Sequence, residues 1–223
     1  MPSRRLLHVI YTRLYAHFGP QFWWPARTPF EVIVGAVLTQ NTNWANVEKA
    51  IGALKQKNML RYGALSRAPE RVIAQAIRPS GYYRLKARRL KNVLAYMKRF
   101  YKGSISAMRA RDTSCMRREL LAVNGIGPET ADSILLYALQ KPSFVVDAYT
   151  KRVLARHHLI SPGAGYAQVQ DLFMKNLKTD VQLFNEYHAL IVRLAKVYCF
   201  KRNPSCGRCP LRSLLPAKEV SGA

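Results

Sequence analysis

Acidic residues are scarce in this chain of 223 residues: 12 Asp and Glu stand against 36 Lys and Arg, for a formal net charge of +24. Such an excess costs self-repulsion in a compact state, and a polyanionic partner is the usual reason to tolerate it. The scarcity is also uneven. No acid occurs from Arg71 to Arg111, a span with twelve Lys and Arg, and a second acid-free span runs from Tyr187 to Lys218. A ribosome-associated protein or a binder of anionic membranes would share this charge, but nucleic acid is the partner it favours. Repeats and low-complexity tracts are lacking, as are long apolar runs. The amino-terminal stretch "MPSRRLLHVIYTRLYAHF" is interrupted by Arg4, Arg5, His8, Arg13 and His17. That excludes the apolar core of a signal peptide or spanning helix there and predicts a soluble, cytoplasmic, nucleoid-associated protein with no membrane partner.

Strand signals are nearly absent too. The run "SFVVDAY" is isolated, and a lone strand has nothing to pair with, so it reads as a buried approach to a helix beginning after Asp147. Elsewhere the chain has helical patterning. Leu6, Leu7, Ile10, Leu14 and Phe18 share a helical spacing that Gly19-Pro20 ends. Further helices are predicted over 29–39, 43–57, 69–77, 84–101, 114–122, 128–140, 148–158, 166–177 and 181–198. With 49% hydrophobic residues, the length supports one large domain or two small ones.

The most unusual local feature is "LLAVNGIGPETADSILLYALQ", Leu120 to Gln140, with two glycines and a proline between helical runs. A helix that ends on glycines and restarts within a few residues exposes backbone N–H groups at the new amino terminus, and the helix dipole makes these an anion site. Gly125 and Gly127 permit positive φ and close backbone approach, and Pro128 suits the first helical position because it has no N–H. In so basic a chain the anion is most simply a DNA phosphate; a neutral chain would use the same turn as an ordinary tight hairpin.

These residues resemble a known family. "LLAVNGIGPETAD" is similar to the helix-hairpin-helix motif of the endonuclease III superfamily of base-excision DNA glycosylases, and "FVVDAYTKRV", about twenty residues later, to its Val-Asp segment. The resemblance implies an all-α, two-lobed fold with double-stranded DNA carrying a damaged base held in the cleft. It also implies that Asp147 is the catalytic carboxylate, acting on a base taken out of the stack. An N-cap role for Asp147 is compatible with that one. Bifunctional members carry a Schiff-base lysine where this chain reads Pro128-Glu129-Thr130, and a carboxylate forms no Schiff base, so the carry-over implies a monofunctional enzyme. The wider motif implies DNA contacts at Gly125, Gly127 and Thr130, with Gln40 and Asn41 near the position that fills the gap left by the flipped nucleotide.

"FWWPARTPFEVIVGAVLTQNTNWANVEKA" and "IRPSGYYRLKARRLKN" resemble the subgroup called DNA-3-methyladenine glycosylase III, the likeness covering most of residues 20–158. It implies that Trp24, Pro25 and Trp44 enclose an alkylated purine, whose cationic ring stacks well on aromatic faces and is already a good leaving group. One of the consecutive tryptophans, Trp23 and Trp24, is expected to pack and the other to face the pocket. A mismatch thymine or uracil glycosylase, an oxidised-pyrimidine glycosylase and a non-catalytic damage-binding module are the alternatives.

Four cysteines are present. Cys199, Cys206 and Cys209 match three positions of the C-x6-C-x2-C-x5-C iron-sulfur loop of endonuclease III, and Leu215 stands at the fourth. A [4Fe-4S] cluster on three thiolates, a loop that has lost the cluster, and zinc on the three cysteines with His188 all stay open. The domain division expected is a lobe over 28–141, ending in the hairpin of 120–140, and a second lobe of 1–27 plus 142–223 that holds the loop of 199–215.

Overall fold

A computed structural model describes residues 4–214. In chain order the elements are α1 (Arg4–Phe18), α2 (Pro29–Leu38), α3 (Trp44–Gln56), α4 (Tyr62–Arg67), α5 (Glu70–Ala76), a 3-10 turn (Arg78–Ser80) and α6 (Tyr83–Tyr101). They continue with α7 (Ile105–Ala110), α8 (Thr113–Leu121), α9 (Pro128–Ser133), a π-helical segment (Ile134–Ala138), α10 (Ala148–Arg156), α11 (Tyr166–Asn176), α12 (Val181–Val197) and 3-10 turns at Cys206–Arg208 and Arg212–Leu214. No strand occurs among the described residues, so the fold is all-α.

The chain divides into two compact units, Trp24–Lys141 and the described parts of Met1–Trp23 with Pro142–Ala223. The first is organised around α2, which is buried from Phe30 to Leu38 because, Glu31 apart, it is apolar on every side. Thr28 caps it by accepting from Glu31 N (3.1 Å), Pro29 opens it, and Glu31 reaches back to accept from Arg27 N (3.3 Å). Helices α8 and α9 flank the glycine turn and are braced by an ion pair. Asp132, fully buried, accepts from Arg117 Nε (2.8 Å) and Nη2 (3.0 Å).

In the second unit Phe144 stacks on Phe173 at 3.7 Å, and the Tyr187 hydroxyl donates to Leu7 O (2.9 Å), tying α12 to α1. Phe144, Val145 and Val146 are buried in irregular backbone leading into α10, the buried approach that the "SFVVDAY" reading expects. Two short helices, α4 and α7, carry no apolar period in the sequence because six residues complete fewer than two turns. The helix expected over 128–140 changes form midway. Leu139 N bonds to Ile134 O (3.0 Å) rather than to the carbonyl four residues back, which widens the last turns.

Candidate nucleic-acid interface and base pocket

At the hairpin turn the two glycines do different work. Gly125 has φ +88, and a Cβ there would lie 2.4 Å from Arg89 Cγ, so both conformation and space require glycine. Gly127 is the N-cap of α9 with φ −90 and ψ 177, an extended conformation open to any residue, so it does not use the positive φ that glycine permits. A Cβ at Gly127 would meet nothing within 4 Å. Asn124, Gly127, Pro128 and Glu129 are exposed around the turn, whereas Thr130 is buried, its hydroxyl accepting from Gln40 Nε2 (3.0 Å).

The acid-free span is less of a surface than its composition implies. Lys86 is 1% exposed, with Nζ donating to Leu38 O (2.8 Å) and Ser80 O (2.6 Å). Burial, reinforced by the nearby Arg89 charge, pushes its pKa down to about 8. Lys91 likewise donates inward, to Ser66 O (2.8 Å) and Ala68 O (3.1 Å). Gln40 is committed to the hairpin, donating also to Gly125 O (3.0 Å), while Asn41 beside it is exposed at φ +51. Sequence reasoning missed Tyr82, 70% exposed at φ +43 at the start of α6, although the Gly81-Tyr82-Tyr83 run was a signal. An exposed aromatic in this strained conformation offers a stacking face for a base.

Trp24, Pro25 and Trp44 do come together, on a cavity of about 220 Å³ that Glu31, Gly35, Glu48, Ile51, Gly52 and Lys55 complete. This is smaller than the roughly 300–1,000 Å³ of sites for drug-sized ligands and suits a single ring system. The two tryptophans meet edge to face, with centroids 5.2 Å apart and planes at 81°. A base between parallel faces would need roughly 7 Å, twice an optimal carbon contact, so the rings do not form a parallel clamp. Gly35 lies in mid-helix because a Cβ there would approach Trp24 to 3.2 Å. The π-helical segment brings Tyr137 to 5.2 Å from Trp24, with the two rings tilted at 55°. Trp23 falls in the other unit. Inside the pocket, Lys55 Nζ pairs with the buried Glu31 at 2.6 Å. Tyr137, Glu31, Glu48 and Lys55 carried no sequence signal, since only folding brings them to the tryptophans.

Asp147 is the N-cap of α10. Oδ1 accepts from Thr150 N (2.7 Å), and Oδ2 lies 3.5 Å from Nε2 of the buried His188 on α12. Burial raises its proton affinity, but the His188 charge and the bonds from His188 and Thr150 outweigh that and hold the carboxyl below its ordinary value of 3.8. His188 thus serves the carboxylate, a role that spacing alone could not assign.

Among the described residues no three His, Cys, Asp or Glu side chains gather so as to hold a metal ion. Cys199, Cys206 and Cys209 are near enough for their thiols to influence one another, and burial raises the Cys209 thiol. The Cys199 thiol instead accepts from Arg156 Nη1 (3.0 Å), and Arg152 Nε donates to Cys199 O (2.8 Å), so arginines of α10 hold this loop. Leu215, at the fourth position, lies outside the described residues. The loop thus brings three thiols together, and with Leu215 at the fourth position the motif supplies no fourth thiolate. No helix among the described residues is long and apolar enough to cross a membrane.

Comparison with known proteins gives these features a context. Residues 34–179 match a family described as HhH-GPD superfamily base excision DNA repair protein. A Methanocaldococcus jannaschii protein, provisionally named a DNA repair glycosylase, is 45% identical over 214 residues, covering 96% of this chain and 97% of its own. The crystal structure of Helicobacter pylori 3-methyladenine DNA glycosylase bound to 1,N6-ethenoadenine matches with a TM-score of 0.75 and 28% identity, over 88% of this chain and 98% of that one. An endonuclease III in a non-covalent complex with DNA shares the fold at a TM-score of 0.82 and 23% identity, over 98% of each chain.

Proposed function

We propose that this chain, which belongs to the HhH-GPD superfamily of base excision DNA repair proteins and is a DNA glycosylase, hydrolyses the N-glycosidic bond of alkylated purines and leaves the abasic strand intact. The observation that carries the substrate is the lining of the pocket. Two of only 12 acidic residues in the chain, Glu31 and Glu48, lie there with Trp24 and Trp44, and the one cation, Lys55, is paired with Glu31. Electron-rich rings and net negative charge favour a cationic, alkylated base over a neutral one. The 28% identity to a 3-methyladenine glycosylase supports the same class.

In the proposed reaction, breaking the C1′–N bond builds positive charge on the deoxyribose while the alkylated base leaves as a neutral molecule. Asp147, kept ionised by His188 and Thr150, stabilises that charge. Its low proton affinity makes it a weak base, so electrostatics and the leaving group supply most of the rate. Water then adds to C1′ and its proton passes to solvent. Glu129, exposed on the first turn of α9, supports hydrolysis without strand cleavage because a carboxylate forms no Schiff base. Lys151, the amine four residues after Asp147, is committed to Ala164 O (3.0 Å).

The test is incubation with methylated duplex DNA, chromatography of the released bases, and inspection of the strand with and without alkali. Release of methylated purine with nicking only after alkali is expected. Release of normal or oxidised pyrimidines alone, or nicking without alkali, would replace this reading.

A further inference from the structure

Helix α6 carries a polar stripe that faces the protein. Lys86, Arg89 and Asn92, three residues apart, share one face. Lys86 holds the end of α2 through Leu38 O, Arg89 Nη1 donates to Gln40 Oε1 (2.5 Å), and Asn92 Nδ2 donates to Asn124 O in the hairpin turn (3.0 Å). Gln40 extends the chain of bonds, its Nε2 donating to Gly125 O and Thr130 Oγ1, both at 3.0 Å. The Arg89 stem lies against Gly125, where a Cβ would come within 2.4 Å of it. Arg89 Nε is buried without a hydrogen-bond partner among the described residues, so the side chain is directed by Gln40 and by packing rather than by solvent.

We infer that Arg89 is a positioning residue for DNA binding. Acting through Gln40, it fixes the conformation of the hairpin turn that grips the phosphate and does not itself meet the phosphate. Gln40 is correspondingly a strut of the hairpin. The chemistry favours this over a phosphate contact, because the guanidinium is engaged at 2.5 Å by a neutral side chain whose other end holds the turn. Two charges in the basic span, Lys86 and Arg89, thereby serve architecture. The inference rests on the hairpin being the phosphate-binding element.

The experiment compares Arg89→Met, Gln40→Met and the double variant in the full chain, measuring affinity for undamaged duplex by anisotropy and amide exchange at Asn124 to Gly127. Each single substitution is expected to weaken binding about ten-fold, with the double variant no weaker than either, because both break one linkage. Exchange should quicken at the turn in each, with α12 unchanged. Additive losses, or loss in Arg89→Met with normal binding by Gln40→Met, would mark Arg89 as a direct phosphate contact and overturn the inference. Gly127→Ala separates the two levels. If it binds normally, the hairpin reading fails and this inference with it. If it loses binding while the Arg89 and Gln40 variants keep theirs, only the strut is refuted. Gln40→Met changes no charge at a half-buried site, so it keeps the comparison valid even if Arg89→Met does not fold.

Discussion

The two hairpin glycines offer a way to separate folding from DNA contact. Alanine at Gly125 must adopt φ +88 and place a methyl 2.4 Å from Arg89 Cγ. The conformation costs roughly 1–2 kcal/mol and the crowding about 1–3 kcal/mol, so a loss of about 2–5 kcal/mol of stability is expected. Alanine at Gly127 keeps an ordinary φ of −90 and meets nothing within 4 Å. Its poorer capping costs under ~1 kcal/mol and is largely offset by about 0.4–1 kcal/mol of reduced freedom in the unfolded chain. If a phosphate is received by the amides of this turn, however, the new methyl meets it. Loss of one charge-assisted hydrogen bond, about 1.5–3 kcal/mol, weakens binding by roughly ten- to 150-fold. Thermal melts and anisotropy with undamaged duplex on both variants supply the answer. Wild-type affinity in Gly127→Ala would refute phosphate approach at this turn, and wild-type stability in Gly125→Ala would refute the strain argument.

Asp147→Asn keeps an acceptor for Thr150 N and so should fold as the wild type, yet lose about 10²–10³-fold in single-turnover base release from methylated DNA; unchanged release would remove Asp147 from the mechanism. The depressed pKa of Asp147 means that its ionised form persists as pH falls, so its contribution to stability is present above about pH 4 and is lost below that, through the folded value. Base release should accordingly stay flat from about pH 8 to 5, whereas in His188→Gln the acid limb should move to higher pH; an unmoved limb would show that His188 does not act on the carboxylate. Arg117→Met takes a bidentate cationic partner from the fully buried Asp132 and should cost about 3–5 kcal/mol in a urea titration, with most of it recovered when Asp132 is also made Leu. Borohydride should trap no covalent complex between the wild-type protein and damaged DNA, and a strong trapped band would mean that an amine other than one at position 129 serves as nucleophile.

Much of this protein was determined by its sequence alone because the signals are local. Apolar spacing with glycine or proline near an end delimits α1, α2 and α6, and apolar spacing behind the Asp180 cap opens α12, since each end is decided within a few residues. The Gly125-Ile126-Gly127-Pro128 turn and the Val146-Asp147 approach to α10 are backbone features of adjacent residues. Tertiary structure decided what local chemistry leaves free. Both hairpin glycines permit positive φ, yet only Gly125 uses it, in the reversal against Arg89, while Gly127 caps α9 in extended backbone. The cations of α6 read as surface charge, but which of them turn inward depends on carbonyls near the ends of α2 and α4. The π-helical turn that carries Tyr137 to Trp24 comes from a run that reads as plain α-helix. Gln40 finds Gly125 across 85 positions and Asp147 finds His188 across 41. Such pairings depend on how whole helices pack, since hydrogen bonds and ion pairs act over a few ångströms in space, whatever the separation along the chain.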